Sequence, residues 1–162
     1  PRPPVVKGGA LVVPMGLLRK LTGAPGRAQE PPDQEDKARV ERLAMEAVTA
    51  SERALGRTPR DVSAQRGIGY DIESRDTETG ALYFIEVKGR AVGSDYVTLT
   101  RTEILCALNE PERFRLAIVM VDEDQAKEPI YVQGYDFGQP GFAQTSATFP
   151  IASLLREGGM PS

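Results

Sequence analysis

Asp71, Glu86 and Lys88 are the side chains whose types and spacing could do chemistry together. Glu86 and Lys88 stand in the apolar run ALYFIEVKG, where the two-residue period of a strand puts both on one face. Asp71 stands in YDIES, which predicts the neighbouring strand of a hairpin. Two carboxylates on adjacent strands repel each other and raise each other's pKa, and a shared divalent cation removes that cost. Because oxygen ligands and water suit Mg²⁺, the pattern indicates a magnesium site.

A simpler interpretation of the same residues is a carboxylate paired with Lys88 on a solvated strand face, which is a common arrangement. Three features favour chemistry instead. The strand is otherwise apolar, Asp71 lies on its partner, and Gly89 directly after Lys88 permits close backbone approach. In a catalytic site, Lys88 would orient a water held by the cation or stabilise charge on a phosphoryl oxygen. These residues alone leave both interpretations open.

The composition limits the kinds of site that the chain can hold. None of its 162 residues is histidine, which excludes Ser-His-Asp and Cys-His triads, His-dependent nucleases, zinc deaminases and most zinc hydrolases. The single cysteine, Cys106, excludes an internal disulfide and a thiolate zinc cluster, and its context EILCALNE predicts a small core residue. Acid–base or metal chemistry must therefore use carboxylates, lysine, tyrosine or water.

Charge and hydropathy indicate the setting of the chain. At 40% hydrophobic residues the chain can bury a normal core. It has no apolar run that could span a bilayer and no visible secretory signal, so we expect no membrane partner. The single cysteine agrees with a reducing, cytoplasmic setting. The net charge of −3 makes the chain a poor binder of phosphate backbones by itself. We therefore expect a longer parent protein to hold any nucleic acid, and a start at Pro1 without methionine agrees with a fragment.

The chain divides into four predicted segments. Residues 1–22 are apolar and then amphipathic, which predicts the tail of a preceding domain or a docking segment. The Gly-, Pro- and acid-rich residues 23–36 predict a linker. Residues 37–136 form the predicted main domain, and residues 137–162 form a C-terminal extension of loop and short helix.

Periodicity predicts an α/β fold for the main domain, with a mixed sheet flanked by helices. Apolar residues at helical spacing predict a helix at 36–56. The other predicted elements are strands at 61–65, 70–74, 81–89 and 95–100, a helix at 101–110, and strands at 115–123 and 128–134. Polar turns at 75–80 and 122–128 predict hairpins. The continuous apolar run RLAIVMVDE predicts a strand that is covered on both faces.

The ordered strings VERLAMEAVTASERALGR, GYDIES, FIEVKGRA, VTLTRTE and LAIV resemble the C-terminal domain family named after the plant protein NO VEIN. The resemblance covers about residues 38–122, and its D…ExK arrangement is similar to that of the PD-(D/E)XK nuclease superfamily. It implies a restriction-endonuclease-like fold and Mg²⁺- or Mn²⁺-dependent hydrolysis of nucleic-acid phosphodiesters, with DNA as the expected substrate. Members resemble C-terminal appendages of Swi/Snf-type bacterial helicase-like proteins. The resemblance therefore also implies a helicase-like partner region in the same parent chain, acting in DNA processing or defence.

The resemblance assigns the central roles to the residues of the D…ExK motif. Asp71 and Glu86 match its acidic residues and would hold the metal together with the main-chain carbonyl of Val87. Lys88 matches its lysine, so the implied catalytic residues are Asp71, Glu86 and Lys88. The proline that names the superfamily is absent, and the dipeptide Gly-Tyr precedes Asp71 instead.

Further residues are candidates around this motif. The superfamily often adds a glutamate from the first helix, and Glu41, which flanks the apolar stripe, is preferred to Glu46 as a metal ligand. Arg90 and Arg101 lie near the open end of the motif and could contact phosphates. Tyr70 could stack on a base, or pack against the sheet.

Two alternatives stay open at this stage. Thr100 and Glu103 fit a capping box for the helix at 101–110, and the family resemblance also allows them a place in the site. The whole domain has an alternative function as well, as a catalytically inactive nuclease-fold module that binds DNA or docks on its helicase partner.

Overall fold

The computed structural model describes residues 34–157, which lie in one compact unit that begins at Gln34. The predictions for residues 1–22, for the linker up to residue 33 and for residues 158–162 fall outside the described residues. Within the described part, no helix is long and apolar enough to cross a membrane.

The described residues form a mixed sheet flanked by helices, which confirms the predicted α/β class. The helices are α1 (Gln34–Ala54), α2 (Arg101–Asn109) and α3 (Ile151–Glu157). The strands are β1 (Arg57–Asp61), β2 (Ile72–Asp76), β3 (Leu82–Ala91), β4 (Tyr96–Thr100), β5 (Phe114–Asp122), β6 (Gln125–Ala126), β7 (Ile130–Val132) and β8 (Ser146–Pro150).

The main sheet has the order β1-β2-β3-β5-β6, and β7 also pairs with β5. β2 and β3 pair in antiparallel fashion, with Ile72 opposite Ile85, so the predicted hairpin is confirmed. β3 and β5 pair in parallel, and the connection between them carries β4 and α2. The polar turn predicted at 122–128 is also a hairpin, because Asp122 pairs with Gln125.

α1 lies against one face of this sheet. Its fully buried Ala44 and Val48 are one turn apart, so they share the apolar stripe that faces the strands. The helix approaches β3 so closely that a Cβ on Gly89 would lie 2.8 Å from the carbonyl oxygen of Val40. The expectation that Gly89 permits close backbone approach is confirmed, and the approaching backbone is that of α1. The predicted helix at 36–56 is confirmed with a shift of two residues at each end.

The prediction of a strand at 61–65 is wrong, because the strand precedes it at Arg57–Asp61. The proline and the charges of RTPRD argue against a central strand, but β1 is the edge strand of the sheet and pairs only with β2. The residues after β1 form a turn and not the predicted strand. In this turn the Asp61 carboxylate accepts hydrogen bonds from the main-chain N–H and the hydroxyl of Ser63. An edge position thus tolerates a composition that is unfavourable in a central strand.

β4 and β8 form a separate two-stranded antiparallel sheet. β4 and the helix at 151–157 agree with the predictions, whereas β8 lies in a segment predicted to be loop. Ile151 and Leu154 of α3 are buried in the same core cluster as residues of β4, α2 and β5. The C-terminal segment therefore packs on the predicted main domain.

β5 separates two core clusters, as its continuous apolar sequence predicts. Leu116 and Ile118 belong to the cluster with α2 and α3, while Ala117 and Val119 belong to the cluster with α1. Cys106 of α2 is partly buried and packs against the first cluster, in agreement with its predicted place as a small core residue.

Candidate functional site

The structure brings Asp71 next to β3 through hydrogen bonds to the strand backbone. Asp71 directly precedes β2, and its main-chain N–H donates to the carbonyl of Ile85 at 2.9 Å. Its carboxylate oxygen Oδ2 then accepts a hydrogen bond from the N–H of Val87 at 2.9 Å. Asp71 lies just before the start of β2, and its side chain there takes the place of a main-chain partner for β3. The carboxylate is therefore held beside Glu86 at the point where the two strands diverge.

Gly69 allows the loop before Asp71 to lie against α2. Its φ is +86°, in the left-handed region, and a Cβ there would lie 2.7 Å from the carbonyl oxygen of Thr102 and 2.9 Å from the Cβ of Cys106. A side chain at this position would displace either the loop or the helix. The glycine that stands near the motif's missing proline thus has a steric function in placing Asp71.

Glu86 and Lys88 share one face of β3 and are joined by an ion pair. The ammonium of Lys88 lies 2.5 Å from the Glu86 carboxylate and 2.9 Å from that of Glu103. All three side chains are largely buried, with 4% of Glu86, 14% of Lys88 and 13% of Glu103 exposed. Such a pair is stable only when its polar atoms are satisfied, and here one ammonium serves two carboxylates.

Glu103 comes from the first turn of α2 and has a second function there. The Thr100 hydroxyl accepts from the main-chain N–H of Glu103, and a Glu103 carboxylate oxygen accepts from the N–H of Thr100 at 3.0 Å. The capping box predicted from the sequence is confirmed. Its glutamate also contacts Lys88, so the cap and the cluster share a side chain.

Burial dominates the electrostatics of the cluster. Burial raises the pKa of Glu86 to about 8, and the nearby charges of Asp71 and Glu103 act in the same direction against the opposing effect of Lys88. Burial also raises the pKa of Asp71, although the Val87 N–H and Lys88 favour its charged form. Burial lowers the pKa of Lys88, but the charges of Glu86 and Glu103 outweigh it and raise that pKa overall. Ionisation of Asp71 and Glu86 is therefore unfavourable in the folded chain, and a bound cation would stabilise their ionised forms.

The first helix meets the opposite face of β3. Ile85 and Val87 are buried together with α1, while Glu86 and Lys88 point to the other side, toward α2. Glu41 is exposed on α1, and its charge opposes the effect of burial, which lowers the pKa of Arg90. Among the described residues, no hydrogen bond or ion pair joins Glu41 to the cluster. Its place as a metal ligand remains a prediction.

The alternative first-helix residue, Glu46, is engaged elsewhere. It forms an exposed ion pair with Arg42 at 2.8 Å. The carboxylate that a second element does bring to the cluster is Glu103 of α2. Sequence reasoning assigned Glu103 chiefly to a cap, and the similarity of VTLTRTE to the family was the only signal of a wider function.

The three side chains predicted to contact nucleic acid all have partners within the fold. Tyr70 stacks on Phe84 with ring centroids 4.6 Å apart, and its hydroxyl donates to Glu73 at 3.0 Å. Arg90 donates to the carbonyl of Gly89 at 2.6 Å. These contacts favour packing for Tyr70, the more conservative of its two interpretations.

Arg101 has a comparable structural contact. Its guanidinium donates to the carbonyls of Gly141 at 2.5 Å and Phe142 at 3.4 Å. It thereby holds the loop before β8 against the start of α2. Contacts of Arg90 and Arg101 with phosphates remain predictions, because each guanidinium has more N–H groups than these bonds use.

The donor chemistry of the cluster fits a hard cation. Asp71 and Glu86 offer carboxylate oxygens, and Mg²⁺ is commonly bound by one or two carboxylates while it keeps several waters. Within residues 34–157, no group of three or more His, Cys, Asp or Glu side chains is arranged to hold one metal ion. A bound Mg²⁺ would therefore depend on these two carboxylates, the main-chain carbonyl of Val87 and water.

Comparison with known families places this region in a defined group. Residues 40–132 match the family model described as Protein NO VEIN, C-terminal. The match covers more than half of the chain, runs from α1 to β7, and includes Asp71, Glu86, Lys88 and Glu103. No curated protein matches the chain.

Proposed function

Because the chain belongs to the NO VEIN C-terminal domain family, we propose that it is a nuclease-like domain that hydrolyses nucleic-acid phosphodiesters with Mg²⁺ or Mn²⁺. The observation that carries the proposal is the convergence of Asp71, Glu86 and Lys88 where β2 and β3 diverge. Their order and strand positions are those of a D…ExK motif. The expected substrate is DNA.

Each residue of the cluster has a distinct part in the proposed reaction. Asp71 and Glu86 would hold the cation, and the Val87 N–H fixes the Asp71 carboxylate in orientation. When bound, the cation would favour an ionised attacking water and offset charge on the scissile phosphate. Lys88 supplies a positive charge next to these carboxylates, where it would orient the water or donate to a phosphoryl oxygen.

The net charge of −3 supports a division of labour within a larger protein. Affinity for nucleic acid comes mostly from Lys and Arg contacts with phosphates, which an acidic domain offers sparingly. We propose that a helicase-like region of the same parent chain delivers the strand to this domain, in DNA processing or defence. The domain then requires only local contacts around the cleavage site.

One observation favours a second candidate, a nuclease fold that binds DNA or its helicase partner without cutting. The Lys88 ammonium lies within 2.9 Å of both Glu86 and Glu103, so one side chain compensates two carboxylates without a metal ion. A purely structural cluster needs nothing more. Catalysis requires instead that a divalent cation bind in the presence of this ammonium.

Calorimetric titration with Mg²⁺ and Mn²⁺ separates the two functions. The proposal predicts binding that is lost in Asp71→Ala and retained in Lys88→Ala, because Asp71 would be a ligand and Lys88 would not. Glu78→Ala, in the exposed turn between β2 and β3, is the matched carboxylate control and should bind as the unmodified chain does. Cleavage of labelled DNA should then require the metal, Asp71 and Lys88. Absence of metal binding with and without DNA would overturn the nuclease proposal and favour the non-catalytic module.

A further inference from the structure

A second polar surface lies at the start of β3, beside Leu82 and Tyr83. A groove of about 540 Å³ opens between the β2–β3 turn and the connection from α2 to β5. Three arginines line the groove. Arg75 lies on β2, Arg113 on the connection from α2 to β5, and Arg115 on β5. Glu112 is the acidic residue in the same lining.

Both walls of the groove are fixed by main-chain hydrogen bonds. In the β2–β3 turn, the Asp76 carboxylate accepts from the N–H groups of Glu78 and Thr79. On the other side, the N–H of Phe84 donates to the carbonyl of Arg113 at 3.0 Å and ties the α2–β5 connection to β3. The groove is therefore formed by backbone that the fold already holds in place.

Arg115 is the most firmly positioned of the three guanidiniums. It donates to the carbonyls of Glu112 at 2.8 Å and Phe114 at 3.1 Å, and its Cζ lies 4.9 Å from the centre of the Tyr83 ring. A guanidinium whose orientation is already fixed loses less conformational entropy when an anion binds. The planar guanidinium of Arg115 is thus suited to bidentate hydrogen bonds with two oxygens of one anion.

Close carboxylates neutralise only part of the charge on this surface. Arg113 forms an exposed ion pair with Glu110 at 3.5 Å. Among residues 34–157, neither Arg75 nor Arg115 has a carboxylate within ion-pair distance. In a chain of net charge −3, two neighbouring arginines without a carboxylate partner favour an anionic ligand.

We propose that this groove binds the phosphodiester backbone of the DNA that the cluster at Asp71 acts on. The inference rests on the proposed function in taking DNA as the ligand. Arg57 and Arg115 both lie over the Tyr83 ring, at 4.3 and 4.9 Å, so the ring is occupied and the groove offers guanidiniums to phosphates in place of a stacking surface for bases. Leu82 lines the groove and Glu86 lies four residues further along β3, roughly 13 Å away at the usual strand rise. Along the axis of a duplex parallel to β3, that distance corresponds to about four base-pair steps.

The test measures DNA binding without cleavage. Anisotropy of a short labelled duplex is recorded in EDTA for the unmodified chain and for Arg75→Gln/Arg113→Gln, which changes only exposed side chains. The expected result is an affinity at least about tenfold lower at ~0.1 M salt, with a salt slope reduced by about 1.8 for two lost contacts. Arg42→Gln/Arg66→Gln removes the same charge from exposed positions elsewhere and should change the affinity less than about twofold.

Four outcomes overturn the assignment, and metal-dependent cutting distinguishes it from the proposed nuclease. Equal losses in the two double variants would show a general charge effect, and absence of measurable DNA binding by the unmodified chain would show that the groove does not bind DNA. Competition by polyglutamate as strong as that by unlabelled DNA would reassign the groove to acidic peptides. Groove-dependent binding without metal-dependent cutting would support the groove and count against the proposed nuclease. Metal-dependent cleavage of DNA, together with unchanged DNA binding by the Arg75→Gln/Arg113→Gln variant, would support the nuclease and count against the groove.

Discussion

The ammonium of Lys88 lies 2.9 Å from the carboxylate of Glu103, and this ion pair joins β3 to the first turn of α2. The same glutamate closes the capping box with Thr100. A change in the position of α2 would therefore move a carboxylate of the cluster. The stability of a short helix and the charge balance of the candidate site are coupled through one side chain.

Substitution of Glu103 separates these two contributions. Thr100→Ala removes the cap alone and should lower the free energy of unfolding by about 1 kcal/mol. Glu103→Ala removes the cap and the ion pair with the largely buried Lys88, so it should cost about 2 kcal/mol more than Thr100→Ala. Urea unfolding of both variants measures the difference. Equal losses would show that the ion pair contributes nothing beyond the cap.

The buried carboxyl of Glu86 should make stability depend on pH when divalent cations are absent. Burial raises the pKa of Glu86 from the ordinary 4.5 to about 8. The folded chain thus keeps a proton that the unfolded chain releases above about pH 4.5, so the free energy of unfolding falls as pH rises between these two values. The slope for one such group is at most about 1.4 kcal/mol per pH unit.

Glu86→Gln is the control for this pH dependence, because the amide keeps the shape of the side chain but does not titrate. Urea unfolding in EDTA at several pH values should show the unmodified chain losing stability relative to the variant between about pH 4.5 and 8. Parallel profiles for the two proteins would contradict a raised pKa at this position. Mg²⁺ should reduce the loss if the cation binds the ionised carboxylate.

The parts of the fold that are visible in the sequence are those with local patterns. β3 follows from a period of two, α1 from a period near four, and the cap of α2 from Thr100 and Glu103. β8 escaped prediction because its partner β4 lies about fifty residues earlier and the pairing Thr98–Thr148 has no local signature. β1 escaped because only its edge position makes Pro59 acceptable.

The candidate site shows the same limit. Asp71, Glu86 and Lys88 belong to one hairpin, so their proximity follows from local pairing. The approach of Glu103 depends on how α2 packs against β3, which neither element's own pattern specifies.

Gly69 provides a steric test of how the loop before Asp71 is positioned. Gly69→Ala places a Cβ at a φ of +86° and 2.7 Å from the Thr102 carbonyl oxygen, so it combines backbone strain with a clash. We expect a loss of about 3 kcal/mol in the free energy of unfolding. Because relief of the clash shifts the loop away from α2, the Asp71–Val87 hydrogen bond should weaken and metal binding should fall as well.

Two other glycines separate the strain from the clash. Gly80 has a φ of +75° with nothing within 4 Å of an added Cβ, so Gly80→Ala should show the backbone cost alone, about 1 kcal/mol. Gly89 has no positive φ but would meet the Val40 carbonyl oxygen at 2.8 Å, so Gly89→Ala tests close packing against α1, on the face of β3 opposite Glu86. Urea unfolding and calorimetry on the three variants should show stability losses in all of them and the largest loss of metal affinity in Gly69→Ala. Metal affinity that simply follows stability across the three would contradict a specific effect of Gly69 on Asp71.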